Sequence, residues 1–247
     1  AASDVYKRQS LSWLSIAVFG SLPFIFSKLD LSITDAFFES MSGITTTGST
    51  IITNLDVAPK GILLWRAMLQ WLGGIGIVVL VLAILPILGV GGMYLYKAET
   101  SSPVKDNKLS PRITETAKSL WGVYIVLTIA CAVLYKIAGM SYFDAIGHSF
   151  STVSIGGFST HDASIGFYSS DLIKIICMVF MFLSALNFVL HFLFYKNKSL
   201  TVYTSNSEMK SFLLIIIILL LLVAIFSTGG RICLLYTSDA ADDLRGG

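Results

Sequence analysis

DAFFESMSGITTTG (35–48) and DAIGHSFSTVSIGG (144–157) decide how this chain is read. Set 109 positions apart, they share Asp35/Asp144, Ala36/Ala145, Ser40/Ser149, Ser42/Ser151 and Gly48/Gly157, with Ile44 and Val153 as apolar equivalents. Five identities in fourteen aligned positions, at the same place between two long apolar blocks, indicate an internal repeat. Each copy opens with a moderately apolar segment of about 10 residues, too short to cross a bilayer, and closes on small and hydroxylated residues. The unit is therefore long helix, short re-entrant helix, glycine-containing extended segment, long helix.

The flanking blocks run over 11–26, 62–92, 120–138, 171–195 and 211–227. Each is near or above the roughly 20 residues a membrane crossing needs. The composition agrees: 55% of the 247 residues are hydrophobic and 13% charged, with mean hydropathy +0.78, against about 25% charged in an average soluble domain. One buried core could account for one such block but hardly five. An all-α integral membrane fold follows, built from repeated helix–pore-loop–helix units.

The two ends are read separately. Ala2–Gln9, back-translated and reverse-complemented, encodes in a shifted frame the run Cys233–Ala240. Residues 1–9 and 233–247 are therefore expected to be adapter read-through and are kept out of the fold. The remainder divides into a first repeat at 10–92, a linker at 93–119, a second repeat at 120–195, a linker at 196–210 and the first helix of a third repeat at 211–232. This makes the chain a fragment, with two of four expected repeats.

Charge sets the orientation. Lys97, Lys105, Lys108, Arg112 and Lys118 lie in 93–119, and Lys196, Lys198 and Lys210 in 196–210. Residues 138–170 hold no Lys or Arg, and 28–61 only Lys28 and Lys60. By the positive-inside rule both linkers are cytoplasmic and both repeated loops enter from outside. A net charge of +2 gives no reason to expect a nucleic-acid partner. Cys131 and Cys177 lie within apolar blocks, with no paired or metal-ligand spacing.

Irregular backbone at membrane depth survives only where protein buries it or water reaches it. A carboxylate in the first turn, Asp35 or Asp144, suits a helix start. The C-terminal ends of the short helices then point inward with partial negative charge, which favours a cation. Gly48 and Gly157 allow close backbone approach and dihedrals denied to other residues. The hydroxyls of Thr45, Thr46, Thr47, Ser154 and Ser159 could offer oxygens or brace the loop. No carboxylate occurs between 40 and 53 or between 145 and 161, which argues against a site of acidic rings and for carbonyl ligands.

ESMSGITTTGST (39–50), WRAMLQWLGGIGIVVL (65–80) and SFSTVSIGGFST (149–160) together resemble the Trk/Ktr/HKT potassium transporter superfamily, closest to its TrkH-type membrane subunits. The resemblance covers essentially all of 11–227. It implies four repeats around one pore, two polypeptides per assembly in the bacterial cytoplasmic membrane, and a cytosolic TrkA-like nucleotide-binding regulatory partner. It makes Gly48 and Gly157 filter glycines, with Thr46, Thr47, Ser49, Ile155, Gly156 and Phe158 sharing the filter and potassium held at Thr46, Thr47, Ile155 and Gly156. In plant relatives serine at the first glycine position accompanies sodium selectivity, so Gly48 favours potassium as the transported ion. No tightly bound cofactor and no enzymatic step are implied. A sodium-permeable or cation-coupled relative is the alternative within transport. An intramembrane enzyme is the alternative from another class, and it would need a nucleophile, acid pair or metal cluster.

Other polar and small residues take plainer readings. Gly73, Gly74 and Gly76 suit close helix packing, Pro86 and Gly89 a kink or helix end, and Asp35 and Asp144 local capping. His148 and His161, with Asp162, match no ligand pattern. Asn187 and His191 are expected to pack within one spanning helix.

Overall fold

In the computed structural model, the backbone is described for residues 2–88 and 109–243, and side chains for 10–76 and 118–226. All regular structure among them is helical. The chain forms two compact units, 1–192 and 193–247.

In the first unit α1 (Ala2–Ile25), α2 (Ile33–Ile44) and α3 (Lys60–Leu88) form one packed trio. A second trio comprises α4 (Leu109–Ile137), α5 (Tyr142–Val153) and α6 (Asp171–Ala185). α3 also packs on α4 and α5, so it belongs to both trios. Ala17, Phe24, Ile44, Leu63 and Leu69 make one core. Ile75 of α3 joins Tyr124, Tyr135, Val153 and Phe180 in the other. α4 is helical from Leu109, so 109–119 is not extended chain; the basic residues at 93–108 and the helix end expected at Gly89 lie outside the described residues.

α2 and α5 start in the same way. Ser32 Oγ accepts the Asp35 N–H at 3.1 Å and donates to Asp35 Oδ2 at 2.8 Å. Ser141 and Asp144 repeat both bonds at 3.1 and 2.7 Å. The caps are thus serines, as N-cap preference dictates. The aspartates sit three residues on, where their charge favours the helix start.

The apolar block at 171–195 is not one straight helix. α6 ends at Ala185, and α7 (Phe188–Asn197) leaves it at 91°. Asn187 lies in the break, where its Oδ1 accepts the Val189 N–H at 3.0 Å, and His191 Nε2 meets the Leu183 carbonyl oxygen at 2.9 Å. The break carries its own partners, which is how a non-helical peptide persists at membrane depth. Two helical stretches among the described residues, 118–137 and 207–226, are long and apolar enough to cross a membrane, and α6 with α7 is a third if the bent pair counts as one. Val126, Ile129 and Val133 on α4 and Met178 on α6 are exposed. Such an apolar exterior suits lipid.

In the second unit α8 (Thr201–Ser205) precedes α9 (Ser207–Asp243), and Asn206 Oδ1 accepts the Met209 N–H at 2.9 Å.

Candidate functional site

The two loops after α2 and α5 share one backbone. Thr45 and Ser154 cap the helices. Thr46 then donates to the Gly43 carbonyl and Thr47 to the Ser42 carbonyl, both at 3.0 Å. Ile155 donates to Thr152 at 3.1 Å and Gly156 to Ser151 at 2.9 Å. This pair of 5→2 and 6→1 bonds is a Schellman ending, which calls for a left-handed residue at its turn. Here that residue is Thr46 or Ile155, each at φ 55°. A β-branched side chain is a true outlier there, at a cost of about 1–2 kcal/mol. Two residues later Gly48 and Gly157 take φ 78° and 86°. The threonine and isoleucine are held against preference, and the glycines stand where only glycine is relaxed.

The loops touch each other. A Cβ on Gly48 would lie 2.0 Å from the Gly156 carbonyl oxygen. α3 closes against the same region because Gly73 lacks a side chain: a Cβ there would lie 1.9 Å from the Ile44 oxygen. Among the described hydrogen bonds none ends on the carbonyls of Thr46, Thr47, Gly48, Ile155, Gly156 or Gly157. The Ser49 carbonyl, in contrast, takes the Ser42 hydroxyl at 2.6 Å. Phe158 turns its N–H onto Gln70 Oε1 at 3.0 Å. Of the two residues that follow, only Ser49 has its carbonyl engaged; Phe158 is held through its N–H, and no described donor meets its carbonyl.

Three bracing residues escaped the sequence reading. Glu39 and Arg66 form an ion pair of 2.7 Å at 0% and 1% exposure. Glu39 also receives the Thr50 hydroxyl at 2.8 Å and the Ile51 N–H at 3.1 Å. Arg66 spends its other nitrogens on Thr50 Oγ1 at 2.9 Å and the Ser159 carbonyl at 3.3 Å, and its guanidinium lies 4.2 Å from the Phe158 ring centre. A buried pair is tolerated when its remaining donors and acceptors are satisfied, as here. One turn further on, Gln70 is fully buried; its Nε2 has no hydrogen-bond partner among the described residues, a cost of about 1–3 kcal/mol. An arginine and a glutamine inside the apolar run 62–92 were the available signal, because polar groups at membrane depth default to function.

On the expected outer side, the structure brings together histidines that sequence spacing left apart. His148 and His161 stack with centroids 6.4 Å apart. His148 Nε2 faces Ser159 Oγ at 3.0 Å and Nδ1 the Asp144 carbonyl at 2.9 Å. That carbonyl only accepts, so Nδ1 carries the proton. His161 Nδ1 bonds Asp56 of the first loop, and its Nε2 lies 3.5 Å from Asp144. The hydrogen bond from His161 holds the Asp56 carboxyl below its usual range. Burial pushes Asp144 up, but the Ser141 and Thr160 hydroxyls and nearby His161 outweigh it and leave it lowered. No group of three or more metal-ligating side chains occurs among the described residues.

This geometry has relatives. Residues 1–236 match the family TrkH, cation transport protein. The chain belongs to the TrkH family. A Trk system potassium uptake protein TrkH from Halomonas elongata is 55% identical over 212 residues, 85% of this chain and 44% of that protein. Its namesake from Escherichia coli K12 is 56% identical over 204 residues, 82% of this chain and 42% of the other. The crystal structure of the potassium transporter TrkH from Vibrio parahaemolyticus superposes with TM-score 0.76 at 48% identity, covering 86% of this chain and 42% of that one. The chain thus spans less than half the length of the TrkH relatives it matches.

Proposed function

We propose that the two loops are half of a carbonyl-lined selectivity filter, in the membrane subunit of a Trk-type system that takes up potassium across the bacterial cytoplasmic membrane. The observation that carries this reading is the duplicated backbone: two touching loops, each with a glycine at positive φ and a run of carbonyls that no donor among the described residues occupies. Carbonyl dipoles replace a shed hydration shell at low cost when they are already in place. Thr46, Thr47, Gly48, Ile155, Gly156 and Gly157 supply such oxygens. Ser49 and Phe158 complete the two segments by anchoring them. Potassium is the cargo named for the TrkH relatives at 55% and 56% identity, and Gly48 is the residue that favours it over sodium.

The family likeness extends the proposal to the assembly: the full-length polypeptide pairs with a second copy, and a TrkA-like nucleotide-binding subunit docks on the cytoplasmic face. The basic segments 93–119 and 196–210 supply charge on that face. No bond is made or broken in such a pathway.

Uptake of rubidium by the full-length protein, in cells lacking their own potassium uptake, tests the reading. Saturable uptake that excess potassium suppresses and excess sodium does not is the expected result. Uptake suppressed equally by sodium would overturn it.

A further inference from the structure

We propose that Gln70, on the first repeat's α3, is the positioning residue that fixes the carbonyl direction of the second loop and thereby its ion preference; this rests on the filter reading above. The Gly157–Phe158 peptide is planar and trans, so its C=O points opposite to its N–H. Gln70 Oε1 holds that N–H at 3.0 Å. The Gly157 carbonyl is therefore turned away from α3. Gly157, at φ 86° and without a Cβ, offers little resistance to a turned-over peptide. Such a turn would present the Phe158 N–H where the carbonyl stands, and a donor repels a cation. Gln70 is the group that opposes this turn.

Gly156 is shaped to the same side chain. A Cβ on it would meet Gln70 Cδ at 2.3 Å, Oε1 at 2.5 Å and Nε2 at 2.7 Å. Its φ is not left-handed, so the glycine answers to the Gln70 amide and not to a backbone need. Among the described residues the arrangement occurs once. Arg66 and Gln70 lie six and ten residues past the start of α3, and the same steps along α6 reach Cys177 and Met181. These line a cavity of about 170 Å³ beside Gly157 and make no clamp.

The test uses the full-length protein in cells lacking potassium uptake, reading rubidium uptake, rubidium-over-sodium preference and membrane abundance. Gln70→Leu removes the acceptor and Gln70→Asn withdraws it, whereas Gln70→Glu keeps one in place. Leucine and asparagine are expected to lower the preference by about tenfold at unchanged abundance, the scale of one hydrogen bond, with glutamate retaining most of it. A purely structural role would move abundance and leave the preference alone. If Gly157→Ser loses the preference while leucine and asparagine keep it, the proposal is overturned and the filter reading stands. If Gly157→Ser keeps it too, both fall. Should the leucine and asparagine variants fail to reach the membrane, Gly156→Ala beside Gly156→Ala/Gln70→Ala decides. Uptake lost in the first and regained with poor selectivity in the second is expected, and no regain overturns the proposal.

Discussion

The first and second loops have the same backbone and different supports. Ser32 and Ser141 start their helices alike, Thr46 and Ile155 share one φ, and Gly48 and Gly157 follow at the same step. Yet the position that braces the segment beyond the glycine is Glu39 in one copy and His148 in the other, acting on the equivalent hydroxyls of Thr50 and Ser159. The charged brace brings Arg66 with it, and Arg66 reaches across to Ser159 and Phe158. The second loop thus leans on the first repeat, through Arg66 and Gln70 together. The two copies keep like dihedrals, while the side chains that hold them differ and make an interface between unlike neighbours.

The largest break in this comparison should come from the buried pair. Glu39→Gln leaves Arg66 uncompensated at 1% exposure, a loss of about 3–5 kcal/mol that thermal unfolding of the purified full-length protein would show. Glu39→Met/Arg66→Met should be less harmful than either single change; equal or greater damage in the double variant would mean the two charges do not act as a pair.

Alanine at the two glycines should split them. Both pay for a left-handed φ, about 1–2 kcal/mol. Only Gly48→Ala also drives a Cβ to 2.0 Å from the Gly156 oxygen, since a Cβ on Gly157 would meet no described atom beyond its chain neighbours within 4 Å. Gly48→Ala should therefore cost clearly more stability in the same unfolding assay. Equal losses would show that the loops part easily.

Thr46→Gly and Ile155→Gly should each relieve the helix ending, by about 1 kcal/mol net of the chain entropy glycine adds. A small rise in melting temperature with weaker ion preference would mark the strain as functional. A fall in melting temperature would show the β-branched side chains to be packing groups first.

The smallest effect is at the outer contact between Asp56 and His161. Because the Asp56 carboxyl is lowered in the folded protein, its contribution is fully present above the unfolded carboxylate value of about 4. It is lost as pH falls from there through the lowered folded value. Asp56→Asn should change rubidium uptake at pH 7 by about twofold or less, as exposed pairs do.

The repeat was legible because it is written in residues whose reasons are local: the serine–aspartate starts, the hydroxylated turn and the glycine. The serine caps at Ser32 and Ser141 were overlooked, although a serine three residues before an aspartate is the capping signature. Glu39, Arg66 and Gln70 were not legible as a set, since their partners lie 27 and 88 residues away in sequence. Arg66 within an apolar run was the hint that went unused. The 91° break after Ala185 has no glycine or proline to announce it; only folding shows that Asn187 and His191 supply its bonds.

If the two loops form the filter, Gly48 and Gly157 govern ion choice. The decisive measurement is rubidium-over-sodium preference of the full-length protein beside Gly48→Ser and Gly157→Ser, each at equal membrane abundance. The expected result is a parent that prefers rubidium and serine variants that lose much of that preference. Preference unchanged by both serines would make these loops ordinary turns and overturn the filter reading.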